Sequence, residues 1–256
     1  MMAVKYVYVA MRASAMSEAA FHDYWLNVHG PMVKGLAAAF GARRYVQSHT
    51  MATSLNDGLW QSRGMLPPAD GIAEMWWDSL EAMQAAFATP EGQEASRLAG
   101  EDEARFLDSR SSHGFMTEEH VIYDDTATRP MGSAPVKVAY VLHRRAGMER
   151  AACHHTWLHD HGPLVNSFAP VTAMRRYVQS HTITPQLAHS LTDGRDLAPD
   201  PDGLTEAWLD SIDDLARTPT PAALHATATM IEDERRFVDL SRSRCFLTQE
   251  VEIFAR

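Results

Sequence analysis

The chain contains one stretch twice. Residues 21–50, FHDYWLNVHGPMVKGLAAAFGARRYVQSHT, and 153–182, CHHTWLHDHGPLVNSFAPVTAMRRYVQSHT, agree at 16 of 30 positions with a constant offset of 132. A period this long excludes a solenoid and indicates duplication of a whole small domain. A length of 256 residues leaves room for two such domains. Both copies keep a mixed set: His22/His154, Trp25/Trp157, His29-Gly30-Pro31/His161-Gly162-Pro163 and the RRYVQSHT block. A purely structural repeat would need mainly the apolar members, so the shared polar groups point to a site.

Each copy reads as the same succession of elements. In the first, Lys5–Met11 is β-branched and aromatic enough for a strand. Ser17 offers an N-cap, and a helix runs from Glu18 to His29, where Gly30-Pro31 is expected to interrupt it and restart a second stretch at an angle through Phe40. Arg43–Thr50 is a second strand. Residues 51–70, and the equally long 183–202, read as loops, long enough to suggest lids or binding loops. Gly71–Asp78 is a third strand, residues 79–108 are helical with a restart at Thr89-Pro90, and His113–Tyr123 is a closing strand. The composition of DDTATRPMGSAP, 124–135, is that of a linker. The expected organisation is one repeat over 1–125, a linker over 126–135 and a second repeat over 136–256.

Strand, helix, strand, strand, helix, strand is the ferredoxin-like split βαβ order, with both helices on one face of a four-stranded antiparallel sheet. The bare face must be covered. Two copies in one chain can achieve this by packing sheet to sheet as a pseudo-dimeric α+β barrel, with exchange of terminal strands left open.

Composition narrows the function. A net charge of -10 argues against nucleic acid or an anionic membrane as partner. No leader pattern opens the chain and no stretch approaches the roughly 20 apolar residues of a membrane span, so a cytoplasmic protein is expected. Cys153 and Cys245 stand opposite Phe21 and Gly114 in the other copy, which marks them as free buried thiols.

The ordered pattern F-H-x-Y-W-x-x-x-H-G-P, R-Y-V-Q-x-H, D-G-I-A-E-x-W-x-D-S and D-E-x-R-F-x-D resembles the EthD family of the dimeric α+β barrel superfamily. The resemblance covers nearly all of both copies outside the linker and the long loops. It implies the α+β barrel fold and a place among cofactor-free monooxygenases, polyketide cyclases and dehydratases, and haem enzymes. It supplies no common set of catalytic residues, so the site is argued from the residues themselves.

His22, Trp25, Leu26 and His29 fall on one face of a helix, as do His154, Trp157, Leu158 and His161. On the second strand, Tyr45, Gln47 and His49 (Tyr177, Gln179 and His181) share one side. On the third, Ile72, Glu74, Trp76 and Asp78 share one, matched by Leu204, Glu206, Trp208 and Asp210. These groups are expected to converge between helix and sheet in one cavity per copy, rimmed by the long loop. His29, His49, His161 and His181 are the candidate acid–base residues. His22, Trp25, Tyr45, Gln47, Glu74 and Trp76, with His154, Trp157, Tyr177, Gln179, Glu206 and Trp208, are candidates for contacting the substrate. Each has a plainer reading: core histidines, a core indole, and Glu74 and Glu206 pairing with Arg44 and Arg176 at a barrel seam. The Glu101-Asp102-Glu103 run reads as a solvated helical face.

Seven residues of helix separate His22 from His29, about 10 Å, too far to share a metal ion. No dinucleotide fingerprint, P-loop or G-x-S-x-G elbow occurs. No metal or cofactor is therefore expected; haem on a single axial histidine stays open. Two function classes follow. The first is a cofactor-independent enzyme using histidine acid–base chemistry on a hydrophobic, aromatic or polyketide-like molecule, by lyase or dehydratase chemistry or by cofactor-free oxidation. The second is a non-catalytic protein holding a small ligand or serving an oxidation pathway. Either would work as a monomer with an internal pseudo-dimer or as a homodimer.

Overall fold

The computed structural model describes residues 3–183 and 195–256. Eight antiparallel strands, β1 (Val4–Ala10), β2 (Arg44–Thr50), β3 (Gly71–Trp77), β4 (His113–Asp124), β5 (Val136–Leu142), β6 (Arg176–Thr182), β7 (Gly203–Leu209) and β8 (Arg244–Ala255), close into a barrel in the order β1-β3-β2-β8-β5-β7-β6-β4. Each repeat contributes a ferredoxin-like half, as the element order requires. Terminal strands are shared rather than exchanged: β4 pairs with β1 over Val9↔His113 to Lys5↔Thr117, then leaves it and pairs with β6 from Thr117↔Thr182 onward. β8 joins β5 to β2 in the same way. The closed order leaves no strand edge open, which removes the hazard of edge-to-edge pairing.

Strand alternation sends one set of side chains inward. At one end the interior is apolar, with Val7, Val9, Ile72 and Phe115 packed on Ala139, Val141, Leu204 and Phe246. The next layer is charged. Lys5 meets Glu74 at 2.8 Å and Glu119 at 3.0 Å and also reaches Glu206, while Lys137 meets Glu206 at 2.8 Å and Glu250 at 2.9 Å and also reaches Glu74. Ser48 and Ser180 donate to Glu74 and Glu206. The two lysines and these two glutamates are fully buried or within 1 % of it. Burial pushes the Glu74 carboxyl up and the Glu206 charge adds to this, so the pair gives up its last proton later than exposed carboxyls do. Trp76 and Trp208 lie beyond this layer; Lys5 and Arg44 sit over Trp76, Lys137 and Arg176 over Trp208.

Three expectations need correction. Arg44 and Arg176 do lie at the seams, but their partners are Glu252 and Asp124, because Glu74 and Glu206 turn inward to the lysines. The helix does not break at Gly30-Pro31. Helix 18–24 passes into a π segment, Trp25–His29, and on into helix 30–36, with the Gly30 N–H reaching back to the Trp25 carbonyl. The wider turn accommodates a proline that an α-helical ladder would not. Residues 51–70 are also not all loop, since Leu55–Gln61 is a helix. Most of the counterpart 183–202 lies outside the described residues. Among the described residues no helix is long and apolar enough to cross a membrane.

Removing one ammonium from the interior layer leaves buried carboxylates uncompensated. Lys5→Met is expected to cost about 3–5 kcal/mol in urea unfolding, with part recovered by adding Glu74→Gln; a loss under about 1 kcal/mol would show that the layer is not a fully desolvated ion cluster.

Candidate functional site

The outer face of the sheet carries the helices, and the cavities beside Trp25 and beside Trp157 lie in that layer. In each repeat the helix carrying the π segment lays its tryptophan across the start of the third strand. A Cβ on Gly71 would stand 2.4 Å from the Trp25 ring, and one on Gly203 2.6 Å from Trp157, so only glycine admits the indole this close to the sheet. The Trp25 and Trp157 carbonyls of the π turn, besides taking the Gly30 and Gly162 N–H, accept from the Gln47 and Gln179 amides at 2.9 and 3.0 Å. The other end of each amide takes a histidine: Gln47 Oε1 lies 3.1 Å from His49 Nε2, and Gln179 Oε1 3.1 Å from His181 Nε2. His49 packs on Trp25 and shares a 2.9 Å contact with His22, while His181 stacks on Trp157 beside His154 and His120. Burial, with neighbouring imidazoles adding, drives His49 down to about 4 and His181 to about 2, which keeps these rings neutral at pH 7.

His29 and His161 make a different contact. His29 Nδ1 meets Asp102 at 2.8 Å, and His161 Nδ1 meets Asp233 at 2.9 Å. The His29 bond holds the Asp102 carboxyl below its usual range; for Asp233, His161 and Arg236 overcome the opposing effect of burial. With Nδ1 committed, Nε2 is the nitrogen that faces other chemistry. His161 makes no other hydrogen bond among the described residues.

Each of these histidines lines a cavity between helices and sheet, and the two cavities are unequal. The first, bounded by Trp25, His29, Tyr45 and Tyr8, holds about 60 Å³. The second, bounded by Trp157, His161, Tyr177 and Tyr140, holds about 510 Å³, within the range that takes a small organic ligand. Side-chain bulk explains the difference. Tyr6, Phe40, Met75 and Trp77 fill the first repeat, where the second has Val138, Thr172, Ala207 and Leu209 at its cavity wall. The helix Leu80–Phe87, which adds Phe87, shrinks to Asp213–Ala216. Tyr6 also extends over Gly114, where a Cβ would stand 2.2 Å from its hydroxyl; the second repeat places Cys245 there beside the smaller Val138.

The structure thus divides the expected site. Trp25, His29 and Tyr45, and Trp157, His161 and Tyr177, do come together at the cavities. His22, Gln47 and His49, with His154, Gln179 and His181, line neither; they form hydrogen-bonded groups packed on the indoles, so the expected meeting of His29 with His49 in one space does not occur. The Glu74 and Glu206 carboxylates and the Trp76 and Trp208 rings are inside the barrel. Register is the cause: Tyr45 pairs with Met75, so the face it shares on β3 is that of Met75 and Ala73. The carboxylate oxygens of Glu74, Glu206 and Glu250 are close enough to suggest a cation site, but Lys5 and Lys137 already occupy it.

Four pairs of residues were not legible as part of the site. Asp102 and Asp233 were hidden in acidic runs. Glu103 and Glu234 stand beside them and receive arginines from the other repeat's long segment: Arg195 meets Glu103 at 2.6 Å and Arg63 meets Glu234 at 3.1 Å. The cavity rim is therefore crossed between repeats, with Leu59 and Arg63 of the first bordering the cavity of the second. Tyr8 and Tyr140 were read only as strand residues. The available signal was recurrence at constant offset, which Arg63/Arg195 and Tyr8/Tyr140 show as clearly as the histidines do.

The lowered histidines fix a pH dependence. Below about 6.5 the unfolded chain takes up protons at His49, His143 and His181, while the folded chain does not until about 4 or lower. Stability should fall between about 6.5 and 4, by up to about 1.4 kcal/mol per pH unit for each ring, with the raised Glu74 carboxyl offsetting about one ring's share of the loss. Urea midpoints measured across this range should drop accordingly, less so in His49→Gln/His181→Gln; a flat profile would contradict the burial of these rings.

The sequence pattern of the EthD domain matches residues 13–110 and 145–241. A comparison with curated proteins finds no match. Among solved structures, an anthrone oxidase-like protein superposes with a TM-score of 0.57 at 11% identity, over 97% of this chain and 91% of its own, and shares the fold. An ethyl tert-butyl ether D (EthD) family protein from Bacillus halodurans C-125 is 20% identical over 46% of this chain and 100% of its own, with a TM-score of 0.33. A chlorite dismutase from Candidatus Nitrospira defluvii, in complex with imidazole, is 14% identical over 98% of this chain and 92% of its own, with a TM-score of 0.46. With both halves matched over most of their length, the chain belongs to the EthD domain family and carries that domain twice.

Proposed function

We propose that the protein is a cofactor-independent cytoplasmic enzyme acting on a hydrophobic, aromatic or polyketide-like small molecule, with the cavity of the second repeat as its active site and His161 as its acid–base residue. The observation that carries this reading is a buried imidazole, tied through Nδ1 to Asp233, on the wall of a cavity of about 510 Å³. Apolar walls select the ligand by burial, at roughly 25 cal/mol per Å² removed from water. Asp233 fixes the tautomer that leaves Nε2 basic and then steadies the imidazolium. In a dehydration, Nε2 takes a proton from the carbon next to a carbonyl, the electrons pass into the enolate, and the imidazolium hands the proton to the departing hydroxyl. Water leaves and the ring nitrogen is free again. Tyr177, on the same wall, is placed to support the enolate oxygen; Gln179 is not, because its amide is spent on the Trp157 carbonyl.

His29 has the equivalent carboxylate partner, Asp102, but a cavity about one-eighth as large, so the first repeat is assigned a structural role. Cofactor-free oxidation would begin with the same proton removal and then consume oxygen. If haem were bound, His161, the one histidine on the larger cavity wall among the described residues, would be the residue to hold its iron.

The test compares His161→Ala with His29→Ala on a substrate found among hydroxylated aromatic ketones that raise the melting temperature. His161→Ala should lower turnover at least about 100-fold while ligand affinity stays within about threefold, and His29→Ala should change neither. Turnover retained in His161→Ala would overturn the assignment. Oxygen uptake in place of water release would move the reaction to oxidation, and a Soret band in the purified protein would move His161 to iron ligation.

A further inference from the structure

We infer that the cavity of the second repeat recognises a phenolic hydroxyl on its ligand through Tyr140, Arg63 and Glu234. The inference rests on that cavity being the ligand site. Three observations converge on it. Tyr140 lines the cavity and is 5 % exposed; its hydroxyl approaches the Glu234 carboxylate and favours its charged form, yet completes no hydrogen bond of normal geometry among the described residues. A buried hydroxyl left this way costs about 1–3 kcal/mol, and phenylalanine would pack the same ring without that cost. Arg63 bonds Glu234 through Nη1 alone, so the N–H groups on Nε and Nη2 are not used by that pair. Glu234 is buried against the same wall, and its carboxyl is pushed up by burial in spite of Arg63.

A largely apolar cavity therefore has, at one place on its wall, a hydroxyl short of a full hydrogen bond, an arginine with N–H groups outside its ion pair and a carboxylate with acceptor capacity. A phenolic hydroxyl matches all three, because its oxygen accepts from Tyr140 and Arg63 while its proton is donated to Glu234. A carboxylate ligand would bring a second negative charge against Glu234, and a hydrocarbon would leave the three groups as they are. Arg63 comes from the first repeat, so recognition at this site is built by both halves of the chain.

Calorimetric titration of the full chain with 1-naphthol, 1-naphthoate and naphthalene tests this. Wild type should bind 1-naphthol about tenfold more tightly than naphthalene, and 1-naphthoate no more tightly than naphthalene. Tyr140→Phe should weaken 1-naphthol about tenfold, leave naphthalene unchanged and keep or raise the melting temperature of the ligand-free protein. Equal affinities for naphthol and naphthalene, or a Tyr140→Phe variant that melts lower and binds naphthol as before, would overturn phenol recognition and leave the ligand cavity standing. Binding of none of the three would remove the cavity reading and this inference together.

Discussion

Two lysines and two glutamates at the barrel centre set the terms for the rest of the molecule. Each carboxylate takes an ammonium from either repeat, so the charges are satisfied only when both halves are in place. Neither half could present Lys5 with Glu74, or Lys137 with Glu206, to a neighbouring apolar face without the partner charges, since a buried ion left unpaired is far more costly than the pair is favourable. Once the inner face is committed in this way, the helices must lie outside the barrel. The cavities beside Trp25 and Trp157 lie in that outer layer.

That layer is where the two repeats diverge. The tryptophan on its glycine, the π turn, the glutamine clamp and the histidine–aspartate pair are present in both, which makes them parts of the shared framework. The volume around His29 and His161 differs because Tyr6, Phe40, Met75, Trp77 and Phe87 close one copy and smaller residues open the other. A duplicated domain needs only one working pocket, and packing the other solid recovers apolar burial that an empty cavity forfeits. The crossed arginines tie the two outcomes together, because each repeat supplies part of the other's wall.

The fold was legible in the sequence because it follows from order and alternation. The duplicated strand–helix–strand pattern requires a covered sheet, and one chain with two copies can cover it internally. Trp25 and His29 were legible for the same reason, being one turn apart on a helix. The site as a whole was not. Whether Tyr45 faces Glu74 or Met75 depends on strand register, which alternation within each strand leaves undetermined, and the single-residue difference sent half of the expected site into the barrel interior. Arg63 and Glu234 lie far apart in sequence and belong to different repeats, so no local pattern joins them. The π turn was hidden because Gly-Pro ordinarily marks a break, and only the completed helix shows the wider turn absorbing it.

One repeat is open and the other closed, and the assignment of the ligand site follows from that difference. Crystals soaked in 4-bromo-1-naphthol and measured at the bromine edge test this most directly. One anomalous peak per chain is expected, bounded by Trp157, His161 and Arg63. A peak beside His29, or one beside His22 and His49 with none in the second cavity, would contradict it.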